Sequence, residues 1–228
     1  MEQRDRKQDL KELAYSLGAS AIGICEVGKL VEKFHPEIRE KARQLPFALS
    51  IGIALQKAVM DTLSERPNDM YKSHYRATNS QLDTISYKLS RRISDFGFQA
   101  MPIPASMIVT RYPLLAHVNH REIAHKAGIG WWGKNNLLIS PEFGGRIRLT
   151  TVLTDLELVP DEILFQDCGK CKACDKACPA GAIGGTAEEF DLEKCQAKVT
   201  EFCKTNNFGQ LICGLCLNRC PHDGGACG

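Results

Sequence analysis

The chain has 228 residues, of which 43% are hydrophobic and 25% charged, and its 29 Lys and Arg against 27 Asp and Glu give a formal charge of +2. This length suffices to bury a real core, and the balanced charge gives no reason to expect a nucleic-acid-binding protein or an acidic partner surface. Cysteine is unusually frequent, with 11 residues, and nine of them are clustered from Cys168 to Cys220.

The first part of the chain shows helix and strand patterns in alternation. Apolar residues recur at helical spacing from Leu10 to Leu17 and stop at Gly18, which suits a left-handed helix cap. Strands are expected at residues 20–25 and 48–55. The second of these strands is too short to be a membrane-spanning segment.

Further patterns continue toward residue 160. Apolar residues at helical spacing predict a helix from Tyr75 to Ile93, whereas the segment MPIPAS at 101–106 is too constrained by proline for a helix. In residues 147–154, side chains at alternate positions form two sets, one of them mostly apolar. This alternation predicts a half-buried strand. Interleaved strands and helices of this kind predict a layered α/β domain.

The composition changes at about residue 161 to Cys, Gly, Ala and Lys with few large apolar residues. A short segment with so little to bury needs cross-links or metal for stability. We place a domain boundary near Pro160, so the predicted domains are residues 1–160 and 161–228. The predicted fold class is α+β, with the layered α/β domain followed by a small cysteine-rich domain.

The N-terminal segment carries charges but no apolar core with a small-residue cleavage site, and it has no twin-arginine pair. A cytoplasmic protein without a membrane span is therefore expected. Cysteines persist as thiols in that reducing compartment, so a dense cluster of them is expected to hold metal rather than to form disulfides.

Two runs of cysteines share a spacing that is typical of iron–sulfur proteins. They are Cys168-x2-Cys171-x2-Cys174-x3-Cys178-Pro179 and Cys213-x2-Cys216-x3-Cys220-Pro221, with Cys195 between them. Three cysteines at this spacing can wrap three corners of a [4Fe–4S] cube, and the fourth, before proline, ligates the other cluster in two-cluster ferredoxins. That rule predicts two ligand sets, which are Cys168, Cys171, Cys174 and Cys220 in one and Cys178, Cys195, Cys213 and Cys216 in the other.

Two other interpretations of the cysteines are structural zinc and a disulfide scaffold. Zinc rarely needs a third cysteine two residues further on and a Cys-Pro pair after it, so two [4Fe–4S] clusters are favoured. Cys25 lies in an apolar strand and is expected to be a small buried core residue. Cys203 and Cys227 fall outside the pattern and have no predicted role.

The segment HKAGIGWWGKNNLLISPEFGGRIRLTTVLTDLEL, residues 125–158, runs directly into the first cysteine run. It resembles epoxyqueuosine reductases and the catalytic half of reductive dehalogenases, and the N-terminal LKELAYSLGASAIGIC and ALSIGIAL look like opening elements of the same superfamily. The resemblance implies a short cobalamin-dependent reductase with a cofactor-binding α/β domain and a two-[4Fe–4S] bacterial-ferredoxin-like domain. Its clusters would pass electrons to a base-off cobalamin that reduces a substrate.

The same resemblance implies which residues lie beside the cobalamin. The glycine-punctuated AGIGWWGKN segment lets backbone approach a ligand closely and suits a large flat cofactor. Aligned to the motif, the cofactor-binding residues are Lys134, Asn135, Leu138, Ser140, Leu149 and Ala197. For Arg146 and Arg148, surface ion pairs are favoured over substrate contact.

The chain departs from the family pattern at the proton donor. Epoxyqueuosine reductases use an aspartate at a position that falls here on Pro113 or Leu114, neither of which carries a carboxylate. The surrounding segment offers other groups that can donate a proton. The catalytic candidates are Tyr112, His117 and His120, with Glu122 also in this segment.

The expected partners follow from the same comparison. A low-potential electron donor of the ferredoxin or flavodoxin type is expected, with a small-molecule or modified-nucleoside substrate. A tRNA substrate is not favoured, because the charge is balanced and only eight residues follow Cys220, where many epoxyqueuosine reductases continue into helical repeats.

Two alternatives remain beside the reductase. The first is an electron-transfer protein without its own substrate, which for instance reduces a partner's corrinoid. The second is a short family member that binds another flat cofactor such as a flavin, although the glycines at 128–133 lack the strand, GxGxxG and helix arrangement.

Overall fold

A computed structural model describes residues 3–111 and 114–221. The chain divides into two compact units, each built from three separate segments. The first unit contains Met1–Ile53, Asn79–Ile129 and Arg148–Leu164, and the second contains Ala54–Thr78, Gly130–Ile147 and Phe165–Gly228. The last junction lies close to the boundary expected near Pro160, and two earlier segments group with the cysteine-rich part. The division into residues 1–160 and 161–228 stays a prediction.

Helices and strands both occur in the described residues, as the predicted α+β class requires. The α-helices are α1 (Gln3–Ser16), α2 (Pro36–Ala42), α3 (Lys57–Met60), α4 (Asp69–Asp95), α5 (His120–Lys126), α6 (Ala173–Lys176), α7 (Leu192–Lys204) and α8 (Leu215–Asn218), and Gly28–Lys33 and Thr205–Asn207 form 3-10 turns. The strands are β1 (Ala21–Glu26), β2 (Phe47–Ala54), β3 (Ala100–Ile103), β4 (Thr110–Arg111), β5 (Leu114–Leu115), β6 (Trp131–Trp132), β7 (Leu138–Ile139) and β8 (Ile147–Thr154). Among these helices, none combines the length and the hydrophobicity that crossing a membrane requires.

The main sheet has the strand order β1-β2-β8-β3. Strands β1 and β2 are antiparallel, with Ile24 opposite Leu49, and β3 and β8 are antiparallel, with Pro102 opposite Val152. The proline-rich segment that is unsuited to a helix thus forms part of β3. Because proline has no N–H to donate to a sheet, its position in an edge strand is the one that a sheet tolerates.

Strand β8 differs from the half-buried strand that its alternation predicts, because seven of its eight residues are buried and only Arg148 is partly exposed. Val152 packs into one hydrophobic core together with residues of α1 and α4, and Leu153 packs into a second core that includes Ile103 and Ile123 of α5. The strand is interior and carries a core on each face, so its alternation separates two cores instead of core from solvent.

Helices α1 and α4 confirm the helices predicted from periodicity. Gly18 and Gly97, which follow them, have φ values of +95° and +88°, the left-handed conformation that glycine adopts without strain. Helix α4 begins six residues before the predicted Tyr75. The side chain of Asn68 accepts a hydrogen bond from the backbone N–H of Tyr71 at 2.9 Å, which caps the N-terminal turn.

Asp161 fastens the last segment of the first unit to its sheet. Its carboxylate accepts hydrogen bonds from Lys7 and Lys11 and from the backbone N–H of Ile24, at 2.7, 3.0 and 2.9 Å. Partial burial acts to raise the pKa of Asp161, but the two lysines and the N–H outweigh it and hold the pKa below its usual value. The contact positions residue 161 beside β1.

His120 is held on both sides of its ring within the first unit. Its Nδ1 lies 2.8 Å from the hydroxyl of Thr151 on β8, and its Nε2 lies 3.1 Å from the carbonyl oxygen of Pro104. A carbonyl only accepts, so Nε2 carries the proton and Nδ1 accepts from the hydroxyl. Burial lowers the pKa of His120 to about 4, so the ring is neutral at pH 7.

A smaller core in the second unit surrounds the start of α8. Leu63, Tyr71 and Leu215 belong to this core, and Tyr71 is only 2% exposed. Gly214 caps α8 with a φ of +83°, and a Cβ atom at this position would lie 2.7 Å from the Tyr71 ring. Glycine is required here both for its conformation and for its lack of a side chain.

We expect Gly214→Ala to destabilise the protein by about 2–5 kcal/mol, because it adds left-handed strain and overlap with Tyr71. Gly181→Ala is the matched control, since Gly181 has a φ of +56° and open space around it; it should cost only about 1–2 kcal/mol. The measurement is the free energy of unfolding in urea, and equal losses for the two variants would contradict the assigned overlap.

We expect acid to destabilise the protein through His120. Between pH 6.5 and about 4 the unfolded chain binds a proton that the folded chain does not, so the free energy of unfolding falls as the pH falls through this window. The contribution is at most about 3 kcal/mol. Urea unfolding of the chain before metal loading, followed by circular dichroism from pH 7 to pH 5, measures it.

His120→Gln should remove this part of the pH dependence, whereas His125→Gln on the same helix should retain it. An unchanged pH dependence in the His120 variant would show that another group is responsible.

Candidate functional site

Four cysteine thiols border one cavity in the second unit. The residues that line this cavity are Lys134, Asn135, Ile139, Cys168, Cys171, Cys174, Cys220 and Pro221. Three of these cysteines belong to the first run, and Cys220 comes from the second. The structure therefore brings together the first predicted ligand set, including the cysteine that was expected to cross over.

Short turns and helices position these thiols. The backbone N–H of Cys171 donates to the carbonyl of Cys168 at 3.1 Å, which bends the loop around the cavity, and α6 then carries Cys174. At the other end, the N–H of Cys220 donates to the carbonyl of Leu217 at 3.2 Å as α8 finishes. Helices α6 and α8 contact each other, so the two runs meet along these helices.

The second predicted set also comes together. Burial, followed by the nearby thiols of Cys213, Cys174, Cys195 and Cys178, raises the pKa of the Cys216 thiol. Burial likewise raises the pKa of Cys213 to about 11, although a backbone hydrogen bond from Leu215 acts to lower it, and Cys195 and Cys178 add to the increase. These interactions place the thiols of Cys178, Cys195, Cys213 and Cys216 close together.

Local contacts hold two members of this second set. The N–H of Ala182 donates to the Cys178 sulfur at 3.4 Å. Cys195 lies on α7, whose first turn is capped by Asp191, because the Asp191 carboxylate accepts from the N–H of Lys194 at 2.9 Å. Cys178 is the fourth cysteine of the first run, and its crossing to the second set matches that of Cys220 to the first.

The thiols of the first set interact in the same way. Burial raises the pKa of Cys174 to about 11, and the neighbouring thiols of Cys168, Cys220 and Cys171 contribute to this increase. Thiols whose pKa is raised stay protonated at pH 7. A bound metal group would displace these protons, because the thiolate is the form that ligates metal.

The chemistry of the lining residues suits an iron–sulfur cluster. A [4Fe–4S] cluster is held by four cysteine thiolates, which is the number that borders this cavity. Asn135 Nδ2 is buried at the cavity without a hydrogen-bond partner, so an acceptor inside the cavity would satisfy it. The four thiols and this donor suit a [4Fe–4S] cluster.

Lys134 clasps the first cysteine loop. Its ammonium donates to the carbonyls of Gly169 and Cys171 at 2.6 and 3.1 Å. Asn135, the next residue, lies in the turn between β6 and β7 and is 3% exposed. The resemblance places both residues beside a cobalamin, whereas in the second unit Lys134 binds the cysteine loop and Asn135 lines its cavity.

The other residues expected at the cobalamin are divided between the two units. Leu138 and Ser140 are buried in the second unit, and the Ser140 hydroxyl accepts from the N–H groups of Glu142 and Phe143, both at 3.4 Å. Leu149 is 7% exposed on β8 in the first unit. Ala197 is exposed on α7. The cobalamin-binding role of these residues stays a prediction.

The structure describes two of the three catalytic candidates, since Tyr112 lies outside the described residues. The Nε2 of His117 lies 3.2 Å from Glu37, and its ring meets that of His35 edge to face at 6.0 Å. His120 is neutral and held on both sides, which fits a structural role and gives no support to proton donation. Glu122 pairs with Lys33 at 2.6 Å.

Sequence reasoning missed two features of this region. Arg146, expected in a surface ion pair, is 9% exposed and donates to the carbonyl of Cys220 at 3.5 Å. Trp131 packs with Ile139, Cys168 and Cys220 in an apolar cluster beside the cavity. Arginine is seldom buried unless its charge is paired, and no local sequence pattern signals the burial of Arg146. Cys25 is buried, as expected, and Cys203 is half-buried on α7.

The sequence is similar to those of epoxyqueuosine reductases. The chain is 38% identical over 203 residues to the enzyme of Salmonella typhimurium, a match that covers 77% of this chain and 51% of that protein. It is 28% identical over 234 residues to that of Vibrio cholerae, covering 88% of this chain and 60% of that protein. The chain thus spans between about half and three fifths of these relatives. No protein-family model matches it.

Solved structures share the fold at 21% sequence identity. An epoxyqueuosine reductase with an epoxyqueuosine-modified tRNA-Tyr stem loop has a TM-score of 0.64, covering 99% of this chain and 67% of that chain. A reductive dehalogenase whose structure suggests a mechanism for B12-dependent dehalogenation has a TM-score of 0.72, covering 93% of this chain and 31% of that one. The predicted resemblance is confirmed, because the chain is similar in sequence to epoxyqueuosine reductases and shares its fold with them and with reductive dehalogenases.

Proposed function

We propose that this chain is an iron–sulfur reductase that holds two [4Fe–4S] clusters and uses a cobalamin to reduce a modified nucleoside. One observation carries the proposal: Cys220 of the second run borders one cavity with three cysteines of the first run, and the thiols of Cys178, Cys195 and Cys213 interact with that of Cys216. The proposed ligands are Cys168, Cys171, Cys174 and Cys220 for one cluster and Cys178, Cys195, Cys213 and Cys216 for the other.

The clusters would supply one-electron transfer and the cobalamin the reduction of substrate. The chain's own groups serve this purpose at the first cavity. Lys134 fixes the loop that carries Cys168 and Cys171, and Arg146 places a positive charge near Cys220. A cluster with four thiolates is anionic, so both cations would stabilise it. The Cys174 thiol of the first set contributes to the raised pKa of Cys216 in the second set. This interaction supports electron transfer over a short distance between the two sets.

The cobalamin and the substrate rest on the relatives. The sequence similarity to epoxyqueuosine reductases and the B12-dependent chemistry named for the dehalogenase support a cobalamin. The complex of a structural neighbour with a modified tRNA stem loop supports a modified nucleoside as substrate. The proposal includes both a free nucleoside and one that is carried on a tRNA. We propose Leu138, Ser140, Leu149 and Ala197, together with Lys134 and Asn135, as cobalamin contacts.

Tyr112 and His117 remain the proposed proton donors. A second candidate function is electron transfer without a substrate of the chain's own. It is favoured because His117 is paired with Glu37 and His120 is hydrogen-bonded to Thr151, and this function needs no proton donor. In that case it would reduce a partner's corrinoid.

A low-potential donor of the ferredoxin or flavodoxin type is the proposed electron source. Four cations near the cysteine runs are exposed and would attract such an acidic protein. They are Lys170, Lys172, Lys176 and Arg219. The proposed location is the cytoplasm.

Anaerobic reconstitution followed by addition of cob(II)alamin tests the function. We expect about eight irons per chain and, on stoichiometric binding, loss of the lower-base nitrogen splitting from the EPR spectrum of the corrinoid. Eight irons with an unchanged spectrum of free cobalamin would contradict the cobalamin site and favour the electron-transfer protein. A chain that binds no iron would contradict both functions.

The crossing of cysteines gives a sharper test of the clusters. Cys171 and Cys220 lie in one set, so Cys171→Ser with Cys220→Ser should lose only one cluster and keep about four irons. Cys171→Ser with Cys216→Ser, the matched control, touches both sets and should lose both clusters. If each run instead bound its own cluster, the two double variants would retain equally little iron.

A further inference from the structure

Asn135 presents a buried hydrogen-bond donor at the thiol cavity. The residue is 3% exposed, and its Nδ2 has no hydrogen-bond partner among the described residues. It lines the same cavity as Cys168, Cys171, Cys174 and Cys220. A buried amide donor without a partner is energetically unfavourable, so a position of this kind calls for an acceptor.

The turn fixes which atom of the carboxamide is the free one. Asn135 Oδ1 accepts from the N–H of Leu137 at 3.2 Å, and only an oxygen can accept there. The turn itself is closed by the N–H of Gly133, which donates to the Leu137 carbonyl at 2.8 Å. The NH₂ group is therefore the end of the amide that remains without a partner.

We propose that Asn135 Nδ2 donates a hydrogen bond to a sulfur of the cluster held by Cys168, Cys171, Cys174 and Cys220, and thereby raises the reduction potential of that cluster. This inference rests on the proposed function, because it needs the cluster to be present. It assigns Asn135 to the cluster as a positioning and tuning residue, in addition to the contact with a cobalamin that the resemblance implies.

The physical basis is the charge on the sulfurs. Reduction adds an electron to an already anionic cluster, and hydrogen bonds to its sulfurs favour the more negative state. A donor in a buried site acts strongly, since little water competes with it. Lys134 and Arg146 are positively charged, but both donate their hydrogen bonds to backbone carbonyls. Among the described lining residues, Asn135 is the one with a side-chain amide.

Two variants separate the donor from the turn. Asn135→Asp keeps an oxygen that can accept from Leu137 and replaces the NH₂ by a second oxygen. Asn135→Leu removes the donor without adding charge. Asn68→Asp is the control, because Asn68 lies in the same unit, caps α4 through Oδ1, and donates through Nδ2 to Thr62 instead of lining the cavity.

The measurement is an EPR-monitored redox titration of the reconstituted proteins, with iron content determined in parallel. We expect both Asn135 variants to keep the second cluster unchanged and to lower the reduction equilibrium constant of the first by roughly tenfold, which is 59 mV for one electron. The Asn68 variant should leave both potentials unchanged.

The outcomes separate this inference from the proposed function. A wild-type chain without two clusters would overturn both. Two clusters with unchanged potentials in the Asn135 variants would overturn the hydrogen bond alone. If the variants fail to load iron, pulsed EPR of reduced wild-type protein labelled with ¹⁵N in asparagine decides: coupling to the cluster supports the hydrogen bond, and its absence overturns it.

Discussion

Crowding of thiols in a confined space is the constraint on which the second unit depends. Burial is the main cause that raises the pKa values of Cys174 and Cys213, and the neighbouring thiols of each set add to the increase, so these sulfurs favour the protonated form. A cationic iron core reverses the preference and releases the protons. Binding of the proposed clusters would therefore be coupled to folding of this unit, and acid would oppose both.

The elements that hold the thiols are too short to be stable on their own. Helices α6 and α8 have four residues each, well below the length at which an isolated helix persists in water. Their geometry comes from packing, with Leu215 in the core around Tyr71 and Trp131 against Cys168 and Cys220. The apolar side chains of the second unit therefore help to position the cysteines of the proposed metal site.

Much of this arrangement could be predicted from the sequence, because cysteine spacing and glycine positions act locally. The two thiol sets follow from a spacing rule, and α1 and α4 end where Gly18 and Gly97 permit a left-handed residue. Strand β8 is more buried than its alternation predicts. The Thr150 hydroxyl donates to the carbonyl of Ile103 at 2.7 Å, so a polar side chain is satisfied inside the core. Grouping of residues 54–78 with the cysteine runs depends on contacts between distant segments, which no local pattern records.

The three-segment composition of the second unit has a consequence for synthesis of the chain. Tyr71 is made long before Ile212 and Leu215, its partners in the same core. At typical rates of translation the intervening chain takes on the order of ten seconds to produce. During that time Tyr71 lacks its packing against Ile212 and Leu215, so its apolar surface is accessible to a chaperone on the ribosome.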